Sequence, residues 1–210
     1  MMGQPGSALF GYYDVGVPSS IDIYGAGDNI LTLINPAGVA NFGLGVVTDK
    51  CAMIYVFDSN QEMGECCGCP LSPTKKESFS FDHDLLANWL GGQPSAGVVA
   101  IRAQDINNHG CDSFRDPGTI QAGCNYGCDP TVGPPSSLGN NFLGSIIHLQ
   151  DDSGPFSPSS LTEQTLFNNG PGDATNNTYL IEECAELIGN SSGARICHCP
   201  STSLDDSTAD

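Results

Sequence analysis

Apolar and polar residues alternate over much of the first half of this chain, with the period of two that belongs to extended backbone. From Leu9 the odd positions read Leu9, Gly11, Tyr13, Val15 and Val17, against Phe10, Tyr12, Asp14 and Gly16 at the even ones. This predicts a strand with one strongly apolar face. Ile21 and Ile23 repeat the period, and Ile30 to Asn35 is a short apolar strand stopped at Pro36. Val46, Val47 and then Cys51 to Phe57 make another, apolar on both sides, which predicts a strand buried in the middle of a sandwich. Glu77 to Phe81 alternates Phe with Ser, and Gly97 to Ala103 reads as a further buried strand.

Helical spacing is rarer. Asp82 is placed to cap a short helix carrying Leu85, Leu86, Trp89 and Leu90 and ending at Gly91-Gly92. Leu161 to Phe167, with Glu163 in its first turn, reads as a second helix after the apolar run Phe142 to Leu149. In Thr175 to Ile188 the residues Leu180, Cys184, Leu187 and Ile188 form one apolar stripe that carries a cysteine. Between Gln104 and Gly139 the pattern dissolves into Gly, Asn, Asp, Pro and cysteine, the composition of a disulfide-stapled loop or a contact surface. The expected fold is mainly β, an antiparallel β-sandwich with a few short peripheral helices. Residues 1–20 are expected to be an extended arm, 21–200 one β-rich domain with its stapled loop at 104–139, and 201–210 an acidic tail.

Charge narrows the partners. Six Lys plus Arg against 24 Asp plus Glu leave a formal charge of -18 over 210 residues, so binding to nucleic acid or to an anionic bilayer by charge is excluded. No apolar run reaches the roughly 18 residues that a membrane span needs. The start, MMGQPGSALF, has neither the basic nor the apolar region of an export signal, so the chain is read as a mature form.

Ten cysteines, Cys51, Cys66, Cys67, Cys69, Cys111, Cys124, Cys128, Cys184, Cys197 and Cys199, predict disulfides and an oxidising compartment. Adjacent Cys66 and Cys67 face opposite sides of an extended chain and need different partners. Cys184, Cys197 and Cys199 match the Cys66 to Cys69 cluster in number. Two or three bridges are therefore expected to tie the C-terminal helix to the hairpin after the central strand, each worth roughly 2–4 kcal/mol. Zinc is the competing reading, at Cys66, Cys67, Cys69, Cys197, His198 and Cys199 or at His109, Cys111, Cys124 and Cys128. The adjacent and CxC spacings and the even count favour disulfides, and no metal site is assigned.

Enzyme signatures are missing: there is no CxxCH, GxSxG, HExxH or P-loop, and Gly25-Ala26-Gly27 lacks the third glycine of a dinucleotide fingerprint. His83 between Asp82 and Asp84 reads as an acidic helix start, and His148 as a core histidine. Asp58, Asn60 and Glu62 have the alternate spacing of a calcium loop without its glycine or closing Glu. Asn176 and Asn190 head N-glycosylation sequons.

The run Cys51-x-x-Ile54-Tyr55-Val56-Phe57-Asp58-x-x-Gln61-Glu62-Met63-x-x-Cys66-Cys67-x-Cys69-Pro70-Leu71, the later Phe81-x-His83-Asp84-Leu85 and the ending Cys184 to Cys199 resemble a family of uncharacterised secreted bacterial cysteine-rich proteins. The Ala8 to Tyr13 start is similar too, and the chain resembles protomers of helical extracellular fibrils recovered from environmental water. That resemblance implies a non-catalytic structural subunit, located outside the cell or on its surface, whose partner is itself. Strand donation is the expected device, with Leu9, Phe10, Tyr12, Tyr13, Val15 and Val17 as subunit contacts. The alternative is a monomeric secreted module for glycan or calcium, and no other cofactor is expected.

Overall fold

The computed structural model describes residues 8–15, 28–36, 50–72, 74–105, 128, 142–150, 160–168, 174–189 and 195–200. Nine strands lie in them: β1 (Leu9–Asp14), β2 (Asn29–Ile34), β3 (Lys50–Asp58), β4 (Met63–Leu71), β5 (Lys76–Ser80), β6 (Ala96–Asp105), β7 (Leu143–Gln150), β8 (Ser160–Thr165) and β9 (Phe167–Asn168). A π-helical turn, Phe81–Leu85, follows β5, and one helix, α1, spans Ala174–Gly189. The strands form two antiparallel sheets, one ordered β4-β3-β6-β1-β9 and the other β5-β2-β7-β8. The mainly β, disulfide-rich sandwich expected from the alternation is the observed fold.

Two apolar layers hold it. Between the sheets, Leu9, Tyr13, Ile54, Val56, Cys67, Val99 and Ile101 meet Leu31, Leu33, Phe79 and Ile146. On the outer face of the larger sheet, Met53, Tyr55, Cys66 and Ala100 pack with Leu180, Cys184, Leu187 and Ile188 of α1. The second layer explains why β3 is apolar on both sides: one face looks into the sandwich and the other lies under a helix.

Four disulfides fasten the layers: Cys51–Cys128, Cys66–Cys184, Cys67–Cys197 and Cys69–Cys199. Among the described residues no cysteine is free, and Cys111 and Cys124 lie outside them. Alternation along β4 divides the work. Cys66 points outward to α1, while Cys67 and Cys69 point inward to the segment 195–199. That segment covers the edge of β4: Cys66 and Ile196 form a parallel bridge, and the Cys66 amide donates to the Arg195 carbonyl at 3.1 Å. An edge strand with unpaired backbone is an aggregation site, so this cover closes one side of the sheet. These bridges fit an oxidising environment, and among the described residues no helix is long and apolar enough to cross a membrane.

Two expectations are corrected. Residues 160–165 form a strand and not a helix, because β7 offers them a full antiparallel ladder and pairing outweighs a weak local preference. The short helix after β5 is a single π-helical turn capped by Ser80, whose hydroxyl accepts from the His83 amide; Asp82 does not cap it. Leu85 and Leu86 are buried as expected, but Leu90 is exposed. Within the single subunit, β1, from the segment expected as an arm, is paired with β6 and β9 of its own chain. The strands expected at 21–23 and 46–47 and the tail at 201–210 lie outside the described residues, as does the 104–139 loop apart from 104, 105 and 128.

Bridges between residues 118 and 130 apart restrict the unfolded chain strongly. Replacing Cys66 and Cys184 together by Ala is expected to cost roughly 2–4 kcal/mol. Urea unfolding with midpoint and slope both fitted measures that loss, since the freed unfolded chain exposes more surface; an unchanged extrapolated stability contradicts it.

Candidate subunit-contact site

β1 supplies the predicted contact residues, and its seat is built by burial on one face. Leu9, Tyr13 and Val15 are buried, Phe10 is half-buried, Tyr12 is exposed, and Val17 lies outside the described residues. Tyr13 anchors the strand: its hydroxyl donates to the Phe57 carbonyl at 3.0 Å and its ring stacks on Phe81 at 4.6 Å. Burial, helped by Asp58 and Glu65, pushes its phenol well above the usual tyrosine range, so it stays a neutral donor. Opposite Tyr13 stands Gly97, where a methyl group would run into the Phe57 carbonyl and the Tyr13 ring. At Gly11 a methyl group would meet only the side-chain ends of Ile146 and Leu166.

The two sides of β1 differ. Toward β6 it is paired over its whole length, Leu9 with Ile101 through Asp14 with Ala96. Toward β9 the ladder covers only Leu9 and Phe10. Beyond that, side chains complete the edge: the Tyr12 amide donates to Gln164 Oε1 at 3.3 Å, and Asn29 Nδ2 donates to the Asp14 carbonyl at 2.6 Å. Gln164 Oε1 also lies 3.4 Å from His148 Nε2, and the His148 ring stacks on Tyr12 at 4.6 Å. His148 is thus a buried, partnered histidine beneath Tyr12. In register, Tyr12, Val98 and Phe57 form a cross-strand row in which Tyr12 is 52% and Val98 39% exposed. Sequence reasoning did not find Gln164, because a glutamine in a segment read as helix carries no sign of edge capping.

Other candidates resolve into structure. Asp58 closes the β3–β4 hairpin, with its Oδ1 accepting from the amides of Asn60 at 2.8 Å and Glu62 at 2.9 Å. Gln61 in the left-handed region at φ 67° completes that turn, so the calcium-like spacing is turn geometry. The acidic group around His83 is likewise engaged: Ser80 donates its amide to Asp84 and its hydroxyl to Asp28, and the Asp82 amide also donates to Asp28. Burial and the neighbouring Asp28 raise the Asp82 carboxyl. Asn176 lies within α1, and Asn190 falls outside the described residues.

One polar hub escaped sequence reading. Glu65 on β4 is fully buried, and its Oε1 accepts from the Asn88 amide at 2.7 Å. Asn88 in turn donates from Nδ2 to the Ile196 carbonyl and accepts from the Arg195 amide. Burial pushes the Glu65 carboxyl up to about 8, partly offset by the Asn88 hydrogen bond. No family model, curated protein or solved structure matches the chain.

Two outcomes follow for this region. Overpacking a core costs roughly 1–3 kcal/mol; Gly97→Ala is expected near the upper end because backbone blocks it, and Gly11→Ala near the lower end because side chains can turn away, both read from urea midpoints. Glu65 has a folded-state value above the unfolded one near 4.5, so its contribution is fully present below that pH and is lost as pH rises through about 8. Glu65→Gln is expected to flatten the fall in melting temperature between about pH 3.5 and about pH 9, roughly one unit beyond each end of that window. An equal fall in both proteins contradicts a buried, protonated Glu65.

Proposed function

We propose that this chain is the structural subunit of a secreted bacterial extracellular fibre, a homopolymer joined by exchange of β1 and without catalytic activity. The observation that carries this reading is the connection between β1 and β2. Its ends touch, Asn29 Nδ2 reaching the Asp14 carbonyl at 2.6 Å across 15 positions of sequence. A chain of that length spans roughly 50 Å when extended, at about 3.3 Å per residue. It is far longer than its path within one subunit requires, and Gly16 to Gly27 contains Gly, Pro and Ser that suit a linker. A neighbour's β1 then fills the same seat, with Tyr13 under Phe57 and Gly11 between Ile146 and Leu166, and no contact has to be redesigned. A head-to-tail exchange of this kind does not close and continues as a helix.

The alternative, a monomeric glycan-binding module, draws support from the half-exposed Tyr12 ring above His148 and Gln164. Calcium has less support, because Asp58 Oδ1 is occupied by two backbone amides.

Negative-stain microscopy of the purified chain tests the reading, and filaments are the expected result. A synthetic peptide of residues 3–17, added in excess during refolding, is expected to shorten them by filling the seat. Isolated particles at every concentration would refute the fibre. Filaments of unchanged length with the peptide present would refute exchange and leave another contact.

A further inference from the structure

The geometry points to a second state of the clamp on β4: when reduced, Cys67, Cys69, Cys197 and Cys199 form a tetrathiolate site for one zinc ion. The CxC spacing is a poor match to a zinc ribbon in sequence, but strand alternation changes that. Cys67 and Cys69, two apart on β4, send both sulfurs to the same face. Cys197 and Cys199, two apart in the facing segment, meet them. The sulfurs of Cys67, Cys69 and Cys199 all lie within 4.8 Å of one another, and Cys197 is bonded to Cys67.

The spacing suits the ion. Zinc–sulfur bonds of about 2.3 Å in a tetrahedron place sulfurs about 3.8 Å apart. Cys67 Sγ and Cys69 Sγ are already 3.8 Å apart. Only the two bonded pairs have to open. A second observation lies in the same segment: Arg195, two residues before Cys197, has a buried Nε without a hydrogen-bond partner. Four thiolates around one Zn²⁺ carry a net charge of -2, and a cation with an unused donor two residues along the chain from one of the four ligands suits that demand.

The chemistry balances with a phosphine reductant. Each disulfide takes two electrons and two protons, giving two thiols, while the phosphine takes oxygen from water and becomes its oxide. Four thiols then release their protons as the metal binds. Disulfides and zinc are alternative fasteners of one segment to one strand edge, and the metal form serves the chain before oxidation. This inference is independent of the fibre proposal, since it concerns a single subunit.

The test uses the full chain in excess phosphine with cobalt(II) and then zinc(II) added. One equivalent of cobalt is expected to give the intense visible absorption of a tetrahedral thiolate site, abolished by one equivalent of zinc. Alkylation of the unmodified protein followed by mass spectrometry is expected to show zinc shielding these four thiols and leaving Cys51, Cys66, Cys128 and Cys184 reactive. The double variant Cys197→Ser, Cys199→Ser is expected to lose the absorption, and the alkylation map needs no variant to fold. No tetrahedral absorption, or shielding of Cys111 and Cys124 instead, would overturn the assignment.

Discussion

The alternation of side chains along β4 is the constraint on which the rest of this molecule depends. Because neighbouring residues of a strand face opposite ways, Cys66 and Cys67 cannot serve the same partner. One is bonded to α1 above the sheet and the other to the segment 195–199 within the sandwich. The same strand therefore fixes the helix on the outer face and the cover on the edge. Shifting β4 by a single residue would exchange the faces and break three bridges together. Glu65 and Asn88 reinforce this frame with neutral hydrogen bonds, in a chain whose formal charge of -18 otherwise works against compactness.

Much of this was legible in the amino-acid order, and the reason is periodicity. Cys51 to Phe57 read as a strand buried in the middle of a sandwich, and it is buried between the inter-sheet core on one face and α1 on the other. The stripe of Leu180, Cys184, Leu187 and Ile188 read as one buried helical face, and those residues meet the outer face of the sheet. Matching the cysteine clusters anticipated two or three bridges from Cys66, Cys67 and Cys69 to Cys184, Cys197 and Cys199, and three are present. Where periodicity was weak the reading failed. Residues 160–165 carry no strong apolar repeat, so their strand depends on a β7 edge that no local pattern announces. The Glu65 hub was invisible for a related reason: its partners lie 23 and more residues away and join it through backbone atoms.

Two edges of the larger sheet receive different treatment, and the difference bears on assembly. The β4 edge is covered by a segment held through disulfides at Cys67 and Cys69. The β1 side is finished by a two-residue strand and by the side chains of Gln164 and Asn29. Covalent closure removes an edge, whereas single hydrogen bonds from side chains are worth about 1 kcal/mol each and are readily exchanged. Any strand exchange in this protein is thus directed to the β1 side.

Exchange by itself gains little, because β1 makes the same contacts whether it comes from its own chain or from a neighbour. A tethered strand acts at an effective concentration of the order of millimolar, which favours the closed subunit until some further contact tips the balance. The cross-strand row of Tyr12, Val98 and Phe57 lies beside the seat and leaves apolar surface in water. Covering such a row against a second subunit would contribute roughly 25 cal/mol per Å² of apolar area, a gain available only to the assembled form. Repulsion between subunits of charge -18 opposes it, and at physiological ionic strength that repulsion is screened beyond about 8 Å. Under the proposed exchange, the seat would determine which strand is exchanged, and the row beside it whether exchange proceeds to a polymer.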